Sequence, residues 1–414
     1  MPMADLGMMY MYETKLPSIV AELQRVGISR IKIIAWRDLD DPEAGGSELH
    51  AHMIAQHWAA AGLDVTMRTS RVPGCPEIRY RSGYRVVRRS GRYGVFPRNF
   101  VEALTSKRQQ PRADALVEIW NGMPFFLPVA TRRPHVTILH HVHDSMWDMV
   151  LPPALASMGK MLEMRIAPKL YRSSRIVTLS ESSRDDISSK MGIPEGSIRV
   201  VPPGVDDLFL AAGADISKDS HVSYKAADPL VVGVGRLVPV KRFDLFIRSL
   251  AEVRRHLPRV RGIIVGEGYD RPRLEELIKQ YRAEEFILLP GKIDSDALVN
   301  LYRSAWVVVS TSAKEGWGMT ITEAGACGTP SVVSDIPGHR DAVIDGVTGI
   351  LVPADISAEE AFSAAIIRIL EDDLLRSTLS ISALKHSRTY SWETTATAIL
   401  GEVAVAAGLP MAME

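Results

Sequence analysis

Short apolar runs of four or five residues recur through this chain, and each ends in a loop rich in glycine, histidine or serine before a helical pattern begins. Residues 31–35 lead into Gly45-Gly46-Ser47, and residues 136–139 end on His140-His141-Val142-His143-Asp144. Residues 115–119 lead into Trp120-Asn121-Gly122, and 175–179 into Ser180-Glu181-Ser182-Ser183. After a polar stretch at 207–228, read as a linker, the alternation restarts with 230–234, 263–265, 286–289, 306–309, 331–333 and 349–352. Continuous apolar runs between amphipathic helices are the pattern of buried parallel strands with crossover helices. The expected fold class is therefore α/β, with two doubly wound parallel sheets facing across a cleft. In such sheets ligands bind beyond the carboxyl ends of the strands, where the notable loops all fall.

The length of 414 residues suits two domains better than one. The expected division is 1–206, 207–391, and a last segment 392–414. Formal net charge is zero, so no overall basic field argues for nucleic acid. Cys75 and Cys327 alone exclude a disulfide framework and suit a reducing compartment. No apolar run reaches the roughly 20 residues of a membrane span; the nearest, 398–413, is broken by Glu402, Gly408 and Pro410. The Met-rich start, 1–12, lacks a basic n-region, so no signal peptide is expected. The cytoplasm is the expected location, and peripheral contact at the inner face of a membrane is compatible with it.

The chemistry concentrates in the loops. Glu315 and Glu323 flank Gly316-Trp317-Gly318-Met319, and a helix starting near Met319 puts Glu315 before its first turn and Glu323 one turn inside. Backbone N–H groups at such a helix start face an anionic ligand. Arg236 and Lys241 share one strand-to-helix turn and form a cationic seat for a diphosphate. Glu323 can grip two neighbouring ribose hydroxyls, while Glu315 and the 316–319 backbone can line a sugar. Backbone near Lys292-Ile293 is the expected seat of the base. A nucleoside diphosphate sugar, UDP- or GDP-linked, satisfies all of these together.

Other features carry a plainer reading beside a functional one. Alternation places His141 and His143 on one side and His140 with Val142 on the other. A zinc site lacks a further ligand, so His143 is read as a cleft residue beside the reacting group, with a structural histidine as the alternative. Asp38-Leu39-Asp40 and Asp294-Ser295-Asp296 can hold a divalent ion but are read as structural. Arginines crowd 79–92; a solvated hairpin is the plain reading, and a surface for an anionic acceptor or lipid the sharper one. Dinucleotide binding fails on spacing, because Gly233-x-Gly235 and Gly266-x-Gly268 both lack the third glycine.

These residues resemble the GT-B retaining glycosyltransferases of family 4. The span from Glu315 to Glu323 is similar to that family's E-x7-E element, and Gly235-Arg236-Leu237, Lys241-Arg242, Pro203-Gly204-Val205-Asp206, Gly266-Glu267-Gly268 and Gly328-Thr329-Pro330 are its other marks. The resemblance is dense over 198–353 and looser before. It implies two Rossmann-like domains, the second holding the donor nucleotide. It also implies transfer with retained anomeric configuration, without metal or other cofactor. By position, Arg236 and Lys241 contact the donor diphosphate, Glu323 the ribose, and Glu315 the donor sugar, with Gly316, Trp317, Gly318 and Met319 around it. Gly45 and Gly46 let the first domain approach the phosphates, and His143 lies by the reacting carbon, with His141 as second choice. The helix after Trp392 crosses back to the first domain. Trp317 stands where the family more commonly has Phe. The acceptor is a hydroxyl on a sugar, a lipid-linked sugar or a small molecule. The rival readings are a sugar-nucleotide epimerase, a phosphorylase (for which no cofactor lysine is identifiable) and a non-catalytic sugar-nucleotide sensor.

Overall fold

A computed structural model describes residues 15–105, 112–144, 146–150, 152–214, 225–355 and 357–410. The Met-rich start and positions 215–224 of the expected linker lie outside the described residues.

The first half builds β1 (Arg30–Ile34), β2 (Asp64–Thr69), β3 (Ile78–Arg81), β4 (Tyr84–Arg88), β5 (Ala115–Trp120), β6 (His135–Leu139), β7 (Arg175–Thr178) and β8 (Ile198–Val200). They form one sheet in the order β3-β4-β2-β1-β5-β6-β7-β8. All pairs are parallel except the edge hairpin β3–β4. The second half builds β9 (Leu230–Val234), β10 (Arg261–Val265), β11 (Ile287–Gly291), β12 (Val307–Ser310), β13 (Ser331–Ser334) and β14 (Gly349–Val352). This parallel sheet runs β11-β10-β9-β12-β13-β14. Strand order reverses at β1/β5 in one sheet and at β9/β12 in the other. The loops leaving those four strands carry Gly45-Gly46, Asn121, Arg236 and Glu315, which is where a doubly wound sheet opens a crevice.

Apolar residues on one face of the first sheet pack against the helices Leu16–Arg25, Gly46–Ala60 and Trp392–Ala406. The last of these is apolar nearly all round and buried along its length. Its Ala396 carbonyl accepts the Trp58 indole N–H at 2.9 Å, and its buried Glu402 pairs with Arg175 at 2.7 Å. The final helix thus belongs to the core of the first half. The two connections between the halves lie side by side, Val205 pairing with Ser391.

One local reading changes, and two helix starts are set by the structure. Residues 207–214 are not linker: Asp207–Ala214 is a helix, started by the Asp206 carboxylate accepting the Leu208 N–H at 2.9 Å. Its Phe209 is buried against Tyr302, ring centroids 5.9 Å apart, so packing of Leu, Phe and Ala side chains decides the segment. Gly45 caps the helix Gly46–Ala60. The helix after Arg236 starts at Phe243, because a short 3-10 turn, Pro239–Lys241, and a left-handed Arg242 intervene.

The arginine-dense stretch is the β3–β4 hairpin and the turn after it, and most of its charges are absorbed locally. Arg88 grips Asp38 at 2.8 Å, while Arg79 and Arg81 hold Asp40 at 2.8 and 2.6 Å. Arg89 pairs with Glu77 at 2.6 Å and Arg92 with Glu43. Asp38 and Asp40 are thereby committed to arginines, and Asp294 caps a helix by accepting the Ala297 N–H at 2.8 Å.

Candidate active site

Strand β12 delivers the loop 311–318 to the cleft, and the helix Met319–Ala326 follows at once. Glu315 turns back into this loop, where its carboxylate accepts from Ser312 Oγ at 2.8 Å and pairs with the Lys241 ammonium. Burial alone raises a carboxyl's pKa, but here Lys241 and His339 outweigh it and hold Glu315 below the ordinary value. Glu323, one turn into the helix, is paired with no cation among the described residues. Burial pushes its carboxyl up to about 7, and its one hydrogen bond is from Tyr302 OH at 3.3 Å. The two glutamates therefore sit in opposite electrostatic settings, one held ionised and one near its titration point.

Arg236 projects from the turn after β9 into the cleft. Its guanidinium makes no hydrogen bond or ion pair with another described residue. Opposite lies the Gly45-Gly46 turn of the first half. A Cβ on Gly45 would meet Arg236 Nε at 3.1 Å, and one on Gly46 would meet Met319 Sδ at 3.4 Å. That turn is fixed by Glu48, a buried carboxylate that accepts from the Gly45 N–H at 2.8 Å, Ser47 Oγ at 2.9 Å and Arg37 Nε at 3.1 Å. Asn121 then donates to Ser47 Oγ at 2.9 Å, tying the β5 loop to the same turn.

The histidine loop leaves β6 and meets the glutamate loop across the cleft. A Cβ on Gly316 would come within 2.7 Å of the His140 carbonyl oxygen, a close approach that only glycine permits. His141 and His143 stack with ring centroids 4.7 Å apart and an interplanar angle of 16°. His140 instead turns toward His50, ring nitrogens 3.3 Å apart. Burial pushes His143 down to about 3, and the Lys314 cation adds to the effect, so its imidazole is neutral. Beneath it the fully buried Glu163 accepts the N–H groups of His143 at 2.9 Å and Asp144 at 3.1 Å, and the Trp147 indole at 2.8 Å. His143 Nδ1 stands 3.7 Å from Glu163, beyond hydrogen-bond reach.

The structure thus brings His143, Arg236, Lys241, Glu315, Gly45, Gly46 and the 316–319 backbone to one cleft. The Trp317 ring does not line it: only 4% exposed, it packs edge-on against Tyr390 at 5.2 Å. Ile293 follows β11, next to Lys292, whose ammonium reaches across to the Pro42 carbonyl at 3.1 Å. Glu163, His339 and Asp341 were not foreseen. Asp341 accepts the Glu181 N–H at 2.9 Å and the Ser182 N–H at 3.3 Å, bridging the halves from the glycine turn at Gly338. Only the Gly338-x-x-Asp341 spacing could have flagged it. Among the described residues no group of three or more His, Cys, Asp or Glu is arranged to hold a metal ion. No helix among them is long and apolar enough to cross a membrane.

Comparison with known proteins agrees with this geometry. Residues 44–207 match the family model described as Glycosyltransferase Family 4, and 217–386 match Glycosyl transferases group 1. The D-inositol 3-phosphate glycosyltransferase of Kribbella flavida is 30% identical over 233 residues, 54% of each chain. That of Acidothermus cellulolyticus is 29% identical over 387 residues, 87% of this chain and 85% of the relative. Among solved structures, sucrose-phosphate synthase from Thermosynechococcus elongatus superposes with a TM-score of 0.73 at 22% identity, covering 90% of this chain and 97% of that one. Anabaena Alr3699/HepE, solved with UDP and glucose, gives 0.68 at 19% identity, covering 91% and 100%. With matching models on both halves and a shared two-sheet fold, the chain belongs to the GT-B glycosyltransferases of family 4.

Proposed function

We propose that the protein transfers a hexose-type sugar from a nucleoside diphosphate sugar to a hydroxyl acceptor, with retention of anomeric configuration and without a metal ion. The observation that carries this reading is Arg236: a cation in the cleft that makes no hydrogen bond or ion pair with another described residue, on the same turn as Lys241. An unpartnered guanidinium beside a glycine turn is a seat for a diphosphate, which it can grip through two parallel hydrogen bonds.

In this reaction the bond between the anomeric carbon and the diphosphate oxygen breaks, and the acceptor oxygen bonds to that carbon on the same face. The acceptor proton passes to the departing phosphate oxygen. Arg236 and Lys241 hold the charge that develops there, each donor contributing about 2.7–4 kcal/mol. Glu315 and the 316–319 backbone hold the sugar, and Glu323 the ribose. His143, being neutral, offers a hydrogen bond to the sugar instead of a proton. Commitment of Asp38, Asp40 and Asp294 to structural partners supports a diphosphate neutralised by side-chain cations. UDP-sugars are the first donors to test, because the HepE structures hold UDP, glucose or UDP-glucose. Phosphorylated inositol is the first acceptor, from the relatives' names. A cytoplasmic enzyme with peripheral contact at a membrane belongs to the same reading.

The test is transfer from a panel of UDP-, GDP- and ADP-sugars with EDTA present, comparing the native chain with Arg236→Ala and Lys241→Ala. Each variant should lose 100-fold or more in turnover with an unchanged melting midpoint. Unchanged kinetics in both variants would defeat the proposal. Donor conversion without any acceptor would favour the epimerase instead.

A further inference from the structure

The first sheet carries a second feature, lined by none of the donor-cleft residues. One face of β1, β2 and β4 packs Ile31, Ile33, Val65, Met67 and Val86 into the core. The strand register puts Lys32 beside Thr66 and Thr66 beside Arg85 on the opposite face, with Arg68 in the next row. A parallel sheet in an α/β protein is ordinarily covered on both faces by apolar side chains. Here an open groove of about 770 Å³ lies over this cationic face, bounded by the helix Val95–Leu104.

Seven Lys and Arg side chains line it against two lining carboxylates, Asp64 and Glu102, and of the seven Arg30 is paired outside the groove with Asp114 and Arg89 with Glu77. Glu102 is already shared between Arg68 and Arg98. Among the described residues the Arg85 side chain has only the Thr66 hydroxyl, at 3.1 Å. Lys32 and Arg112 make no hydrogen bond or ion pair with another described residue. Burial lowers the pKa of the Lys32 amine; the Glu102 carboxylate opposes this, and the Arg68, Arg133 and Arg85 cations add to the lowering. Lys32, Arg85 and Arg112, held together with little counter-charge, repel one another, and a bound polyanion removes that repulsion.

We propose that this groove binds a ligand carrying two or more phosphate groups, at a site that shares no residue with the donor cleft. Lys32 and Arg85 sit two strand spacings apart, about 10 Å between backbones, so their side chains can close on separate phosphates of one molecule. Arg68 and Arg85 supply planar forks suited to phosphate oxygens. The same chemistry is met by a soluble polyphosphorylated compound and by a lipid headgroup that carries two phosphates. The site stands independently of the transfer reaction proposed above.

The experiment uses the full chain carrying Arg236→Ala and Lys241→Ala, so that the donor cleft no longer competes. Equilibrium dialysis with labelled inorganic tripolyphosphate should show one saturable equivalent. Adding Lys32→Met and Arg85→Gln should weaken binding at least 10-fold at an unchanged melting midpoint. Should that variant fail to fold, Arg112→Ala, on an exposed side chain, should still weaken binding at least 3-fold. Equal affinity with and without the groove substitutions, or binding that never saturates, would overturn the proposal. Sedimentation with vesicles containing cardiolipin, whose headgroup carries two phosphates, separates the sources. Retention that tripolyphosphate displaces and the groove variant loses assigns a headgroup; saturable dialysis binding without vesicle retention assigns a soluble ligand.

Discussion

Arg236 and Gly45 meet across the cleft from opposite halves of the molecule, with room between them for a backbone but not for a side chain. A Cβ on Gly45 would stand 3.1 Å from Arg236 Nε. Because Gly45 has an extended backbone with φ of −145°, alanine fits there without strain, and its only cost is displacement of the guanidinium. Gly45→Ala should therefore fold normally and lose about 10-fold in kcat/KM, and Gly45→Val about 100-fold, since misplacement on the order of 1 Å can cost that much. Steady-state kinetics beside a thermal melt checks both parts.

Glu323 makes stability depend on pH in a direction unusual for a carboxylate. Its pKa is about 7 in the folded chain against an ordinary 4.5, so the folded state binds this proton more tightly than the unfolded state does. The stability it contributes is full below pH 4.5 and is lost as pH rises through 7, a change of about 3 kcal/mol. Glu323→Gln mimics the protonated form. It should match the native chain at pH 4.5 and exceed it at pH 8 in urea-unfolding midpoints, while binding the donor more weakly.

Glu163 holds the histidine loop from below through three donors. Glu163→Ala leaves them unmet and should cost about 3 kcal/mol, each unsatisfied buried donor being worth roughly 1–3 before relaxation. Glu163→Gln keeps an acceptor oxygen and should cost less than half as much. Hydrogen exchange at His143 and Asp144 should accelerate in the first variant far more than in the second, and turnover should fall in the same order.

Asp341 fastens the halves by accepting N–H groups of Glu181 and Ser182 at the start of a first-half helix. The negative charge also suits that helix N-terminus. Asp341→Ala should favour an opened molecule and weaken donor affinity about 10-fold, as expected when the closed form falls to a tenth of its population. Small-angle scattering should show a larger radius of gyration, which saturating donor reduces.

Much of this architecture was legible because the apolar runs are continuous and their loops fall at one end of each sheet. The seats of Arg236, Lys241 and Glu315 followed from strand-to-helix turns, where spacing and position coincide. What escaped was set by packing instead of pattern. The segment 207–214 becomes a helix because Phe209 finds Tyr302, about 90 residues further on in sequence. Glu163 lies in a π-helical turn, Leu162–Ile166, with no local signature. Trp317 looked like a pocket residue from its neighbours, yet its ring faces Tyr390. The arginines of 79–92 were readable as charge, but only the register of β1, β2 and β4 separates Arg85, over the open groove, from Arg79, spent on Asp40.

The placement of the helix Trp392–Ala406 against Leu16–Arg25 and Gly46–Ala60 also sets an order of events during synthesis. The second half is contiguous from Asp207 through Ser387 and can close as soon as it clears the ribosome. The first half, translated earlier, keeps an apolar trough open over Trp58 until the last helix emerges to fill it. The usual amino-terminal-first sequence is thus inverted. A stop codon just before Trp392 would leave the donor half intact and strand the other half, exposed, for chaperones to hold.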